Sequence, residues 1–232
     1  MTWSRNPGPP GGERRGYHHG NLREALLAAA LSLIAEKGPA GFTIAEAARL
    51  AGVSPAAPYR HFRDAEALLA EVALRGFERF ELSLSQAWTS GATDPVRAFE
   101  ALGRAYLTFA REEPAYYAAM FEARIDRAGY PALEAAGDRA FGVLREAAER
   151  LASSLPRESR PPSLMVALHV WALAHGIATL FVRPDPSRRK LPMSAEDLLE
   201  AGVLVYLQSL GLAGGPVGRP ADPPSGAPPR RA

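Results

Sequence analysis

Apolar positions recur every three or four residues along most of this chain, and strand-like alternation is absent. Leu22, Leu26, Ala29, Ala30, Leu33 and Ile34 line one face of a first helix. Asn21 can cap it, with Glu24 at the capping-box position, and Lys37-Gly38-Pro39 ends it with a C-cap glycine and a breaker. Thr43 and Glu46 repeat the box for a second helix that runs to Ala51 and stops at Gly52. Ser54 and Pro55 open a short third helix. Asp64 caps a long fourth, with Leu69, Val72, Gly76 and Phe80 as its stripe, reaching about Trp88. The pattern predicts five more: Asp94 to Glu113, Ala115 to Ile125, Pro131 to Ser154, Pro162 to Val182 and Ser194 to Leu210. The expected fold is all-α, with nine helices.

Residues 1–15 and 213–232 are rich in Pro and Gly and lack periodicity, so both ends are expected to be disordered. No apolar run approaches bilayer-spanning length and no apolar leader opens the chain, which predicts a cytoplasmic protein without membrane contact. The absence of cysteine excludes disulfides and thiolate metal sites. His18 and His19 have no acidic residue close by and make a poor metal site, so no metal or other cofactor is expected. The net charge of +2 is unevenly spread. Residues 1–64 hold eight basic against five acidic side chains, whereas 65–212 hold 16 against 19. The N-terminal part is the basic end, as phosphate binding requires.

Within that basic part, FTIAEAARLAGVSPAAPYRHF (Phe42–Phe62) reads as a helix-turn-helix. Ala47 and Ala48 permit close crossing, Gly52 supplies a left-handed turn, and Val53 and Phe62 plug the small core. Pro55, Ala56, Ala57 and Arg60 should face base edges; Arg60 alone among them can make a bidentate guanine contact. Tyr59 and His61 would donate to phosphates. Pro58 lacks an N–H and crowds the Ser54 carbonyl, so this helix should start late or with a distorted first turn. The competing reading is a plain helical hairpin with solvated Tyr, Arg and His.

This segment resembles the TetR family of transcriptional regulators, and the likeness extends over about Tyr17–Leu212. YHHGNLREALL at Tyr17, APYRHF at Ala57 and WALAHG at Trp171 are similar to a subgroup with a Trp-His-Gly signature in its C-terminal domain. The resemblance implies a three-helix DNA-binding domain (residues 16–63) between a disordered arm (1–15) and a helical ligand-binding and dimerisation domain (64–212), with a disordered tail (213–232). It gives Tyr59 and His61 their phosphate roles. It also brings Tyr17, His18, Thr43, Ser54 and Arg63 to the DNA side; where the family often has a phosphate-binding lysine Ala65 stands here, so either Arg63 substitutes or that contact is lost.

Aromatic and Met side chains concentrate between Phe77 and Trp171. Most should be core. Phe80, Tyr106, Phe109, Tyr117, Met120, Phe121, Phe141, Trp171 and His175 are the candidates for lining an apolar pocket between helices. Arg104, Arg124 and Asp138 are possible charged partners. Trp171 and His175 share a face, and Gly176 suggests close helix approach; His175 either faces a ligand or fixes packing. The last two helices should form the dimer interface, with Leu199, Val203, Tyr206 and Leu210 on the ninth.

The sequence therefore predicts a ligand-responsive regulator, most simply a repressor. It would bind a palindromic double-stranded operator as a homodimer and be released by a small apolar or amphipathic effector through the fourth helix. The alternatives are an all-α enzyme using His175, for which no nucleophile–base set is present, and a sequence-tolerant DNA binder.

Overall fold

The structure, a computed structural model, describes residues 22–90, 94–182 and 192–211. Tyr17, His18, His19 and Asn21 lie outside the described residues, as do the two terminal segments. Eight α-helices occur in the order α1 (Leu22–Lys37), α2 (Ile44–Leu50), α3 (Ala65–Ser90), α4 (Pro95–Glu112), α5 (Pro114–Phe121), α6 (Pro131–Ser153), α7 (Ser163–Val182) and α8 (Ala195–Ser209). No strand is present among the described residues. The expected third helix, the short one after Gly52, is instead a single 3₁₀ turn, Pro58–Arg60.

Chain punctuation acts as the residue types dictate. Gly38 (φ +77°) closes α1, its N–H bonding the Ile34 carbonyl at 2.8 Å. Gly52 (φ +71°) makes the turn after α2. The Asp64 carboxylate caps α3 through the Ala67 N–H (2.7 Å), Asp94 caps α4 and Ser194 caps α8.

Helix α3 joins the two halves. At 26 residues it is about 39 Å long. Its first half packs on α1, and further contacts run to α4, α5 and α6. Two ion pairs, Arg23–Glu71 and Arg75–Glu24, clamp α1 to α3, while α5 packs against both. One hydrophobic cluster runs unbroken from Leu26 in α1 to Leu207 in α8.

Helix α7 corrects the expectation about membrane length. Over Ser163–Phe181 it is long and apolar enough to cross a membrane, with 33% of that span buried. His169, His175 and Thr179 interrupt the apolar run, yet its mean hydropathy stays high enough for a span. Gly176 also departs from expectation, since a Cβ there would meet nothing within 4 Å. Close approaches occur elsewhere: a Cβ at Gly202 would stand 2.8 Å from Leu173 of α7, and one at Gly103 would stand 3.0 Å from Leu199 of α8.

Candidate DNA reader and effector cavity

The reader begins with α2. Thr43 caps it, its side chain accepting from the Glu46 N–H (3.2 Å) while the Glu46 carboxylate accepts from the Thr43 N–H (2.9 Å). The Lys37 ammonium, 2.8 Å from Glu46, and the Thr43 donors hold that carboxyl down at about 2. Ala47 and Ala48 are fully buried at the helix crossing, and the Val53 N–H reaches the Ala48 carbonyl at 3.0 Å. Val53 is half-buried against the core and Phe62 is buried, with Arg23 stacked over its ring at 5.6 Å.

Ser54 does not cap a helix. Its carbonyl accepts the Ala57 N–H (3.0 Å) in a tight turn, and the next turn closes with the His61 and Phe62 N–H groups on the Pro58 carbonyl, both at 2.9 Å. Pro58 is the reason: without an N–H it cannot bond the Ser54 carbonyl, so a regular helix cannot pass through it. Its ring is among the most fully buried side chains, filling the core instead. The turns leave Pro55, Ala56, Tyr59, Arg60 and His61 exposed and Ala57 half-buried. Tyr59 is 58% exposed, and neither it nor Arg60 or His61 makes a side-chain hydrogen bond or ion pair among the described residues.

Arg63 is differently placed. It donates to the Tyr130 hydroxyl (2.8 Å), lies over that ring at 5.3 Å and bonds the Asp64 carboxylate at 3.1 Å. Tyr130 immediately precedes α6 and follows the 3₁₀ turn Arg127–Gly129. The segment behind the reader is thus tied to the far domain.

In that domain a cavity of about 460 Å³ opens between α3, α4, α6 and α7. Phe80, Tyr106, Phe121, Phe141, Trp171 and His175 line it, as expected. Three expected residues do not. Phe109, Tyr117 and Met120 are buried one layer behind: Phe109 tilts against Phe80 (5.0 Å), Tyr117 against Phe121 (4.9 Å), and Met120 fills the space at Gly76. Aromatic composition identifies a core, but the choice between wall and filler depends on helix rotation.

Other lining residues were not anticipated. Phe77 and Leu84 extend the Phe80 row at helical spacing, a signal the sequence did contain. Gly137 likewise continues the Ala140, Phe141 and Leu144 row of α6, whereas Arg127 comes from the 3₁₀ turn before that helix, where no periodicity marks it. Of the possible charged partners only Asp138 reaches the cavity; Arg104 and Arg124 are exposed elsewhere.

His175 does both things the sequence left open. It lines the cavity, and its Nδ1 lies 2.9 Å from both the Tyr106 and Tyr117 hydroxyls. Its ring stacks on Trp171 at 5.4 Å. Burial pulls the imidazole below its ordinary value and pushes both tyrosines up, so this inner wall is polar but uncharged near neutrality.

The expected interface residues on α8 need correcting. Leu199 and Val203 are buried in the chain's own core, at 3% and 4% exposure, and are unavailable to a partner. Tyr206 and Leu210 are half-buried, with the Tyr206 hydroxyl 3.1 Å from His169 Nδ1 on α7. The strongest apolar stripe of a helix attaches it to its own subunit. The exposed large apolar residues of α8 are Leu204 and Val205.

An exposed reader on a three-element head, fused to a helical body around a cavity, is the architecture of a helix-turn-helix regulator. Comparison with known proteins agrees. Residues 26–72 match the family described as bacterial regulatory proteins, tetR family, and residues 99–206 match the tetracyclin repressor-like C-terminal domain. The chain belongs to the TetR family of DNA-binding transcriptional regulators. It is 25% identical over 186 residues to the uncharacterized HTH-type transcriptional regulator YobS of Bacillus subtilis, covering 78% of this chain and 87% of that one. A solved structure of a protein of unknown function from Rhodococcus sp. RHA1 superposes with TM-score 0.70 at 29% identity, covering 86% of this chain and 100% of the other. AibR, solved with isovaleryl coenzyme A and operator DNA, has the same fold, with TM-score 0.62, 21% identity, and 79% and 97% coverage.

Proposed function

We propose that this protein is a cytoplasmic, homodimeric repressor that leaves a palindromic operator when a small apolar or amphipathic effector fills the cavity. The chain divides near residue 63 into a reader and an effector-binding, dimerising body. Arg60 reads a base edge, Tyr59 and His61 hold phosphates, and Pro55 with the neighbouring alanines meets thymine methyls. Recognition segments of the two subunits sit about 34 Å apart, one turn of DNA.

The observation that carries this reading is the link between the two sites. Helix α3 forms both the floor of the cavity, through Phe77, Phe80 and Leu84, and the support of α1. The Arg63–Tyr130 contact makes a second link beside it. A ligand that changes the spacing of α3 and α6 therefore changes the pose of the reader. AibR, with both an acyl-coenzyme A and operator DNA in one crystal, is a relative in which both kinds of partner are bound.

Dimerisation is supported by the apolar surface of α7 and α8. Met165, Ala172, Gly176 and Leu180 recur at helical spacing on the outward side of α7, beside Leu204 and Val205 of α8. The open space at Gly176 admits a partner helix closely, and a four-helix bundle is the arrangement two such pairs make. The test is selection of bound duplexes from a random DNA pool by the full chain. A palindromic consensus is expected; recovery of unselected sequence would overturn the assignment.

A further inference from the structure

Four residues lining the cavity carry titratable groups: Tyr106, Arg127, Asp138 and His175. Tyr106 and His175 are bonded to each other at the inner wall and are held neutral by burial. The charge available to a ligand is therefore confined to Arg127 and Asp138, both exposed at the rim. Between rim and inner wall the lining is apolar: Phe77, Phe80, Phe141, Leu144 and Trp171.

The two rim charges differ in how they are held. The Arg127 guanidinium lies over the Phe77 ring at 5.3 Å and donates from Nη2 to the Met120 carbonyl at 3.2 Å. Its Nη1 also lies beside Gly137 of α6, 3.5 Å from where a Cβ would stand, an ordinary contact distance. Arg127 forms no ion pair among the described residues, so its charge is unneutralised and its remaining N–H donors are unspent. Asp138 makes no hydrogen bond or ion pair among the described residues, and nothing fixes its carboxylate. A guanidinium stacked on an aromatic face and anchored through one N–H is pre-oriented for a planar anion.

We propose that the effector is an amphipathic monocarboxylic acid whose carboxylate is gripped by Arg127 at the rim and whose apolar body fills the aromatic cavity. This rests on the effector reading above and adds the head-group chemistry to it. The neutral inner wall receives a hydrocarbon or weakly polar end, and a second charge on the ligand would find no partner there.

The test is calorimetric titration of the full chain with octanoate, 1-octanol and octyltrimethylammonium, which share a tail and differ in head. Wild type is expected to bind octanoate at least about tenfold tighter than octanol, the scale of one charge-assisted fork. Arg127→Gln should abolish that preference while leaving octanol affinity unchanged, which also reports that the cavity is intact. Arg127→Lys, keeping the charge without the fork, should restore part of it. Asp138→Asn should leave octanoate binding unchanged or tighten it. A preference that survives in Arg127→Gln would overturn the proposal, as would tighter binding of octanol or of the ammonium by wild type; in those cases the cavity remains an effector site of another class. If none of the three probes binds wild type, the effector reading of the cavity falls, and the proposal with it.

Discussion

The reader and the cavity use polar side chains in opposite ways. Around the reader, ion pairs are spent on scaffolding, Lys37–Glu46 bracing α2 and Arg75–Glu24 locking α1 to α3. The outermost residues Tyr59, Arg60 and His61 are left exposed and without side-chain partners among the described residues. At the inner wall of the cavity the polar groups bond one another, Tyr106 and the Tyr117 behind it meeting on His175. A surface that must recognise a hydrated polyanion keeps its donors free. The inner wall of a pocket that must accept an apolar body pairs its polar groups with one another, because an unpaired buried polar group is costly.

That contrast can be broken from either side. The largest effect is expected from Phe80→Ala, which removes a buried ring packed within 5.0 Å of both Tyr106 and Phe109. It should destabilise the fold by about 3–5 kcal/mol, read in urea denaturation. A loss under about 1 kcal/mol would show that the aromatic cluster is not the body's core. Next comes Arg60→Ala, expected to cost about 1–3 kcal/mol of discrimination at one base pair in a binding assay on single-site operator variants. Its melting temperature should stay at the wild-type value, because the side chain is exposed and makes no hydrogen bond or ion pair among the described residues. Tyr59→Phe should weaken all duplexes alike, by about 1 kcal/mol, without altering preference.

The smallest effect sharpens the comparison through pH. Burial lowers the His175 pKa below its ordinary 6.5, so the unfolded chain binds the proton more readily. Stability is therefore fully present above about 6.5 and is lost as pH falls from there toward the folded-state value. Melting temperature should drop between pH 7.5 and 5.5, and His175→Gln should flatten that drop. An unchanged slope in the variant would place the sensitivity elsewhere.

The reader was legible in advance because its determinants are local. Caps at Thr43 and Asp64, the turn at Gly52 and the buried Ala47–Ala48 pair each depend on a few neighbouring residues. Even the distortion at Pro58 follows from one missing N–H, although the replacement of the whole helix by two tight turns exceeded the expectation. The cavity was only partly legible. Phe80, Tyr106 and Trp171 stand in its wall as expected, whereas Phe109, Tyr117 and Met120 stand behind it. Periodicity marks the apolar side of a helix, about a third of its circumference, and a small rotation within that arc decides wall or filler. Arg127 carried no signal, since a charged residue in a loop normally reads as solvated.

By itself the sequence determined the helices, their caps, the basic reader and the family, because these depend on spacings within one or two turns of chain. Tertiary structure decided which face of each helix met which neighbour. It turned Leu199 and Val203 inward and left Leu204 and Val205 outside. It brought Arg127 to the rim of the cavity and Tyr130 onto Arg63. Such pairings join residues far apart along the chain, and only the packing of α3 against α6 sets their distance.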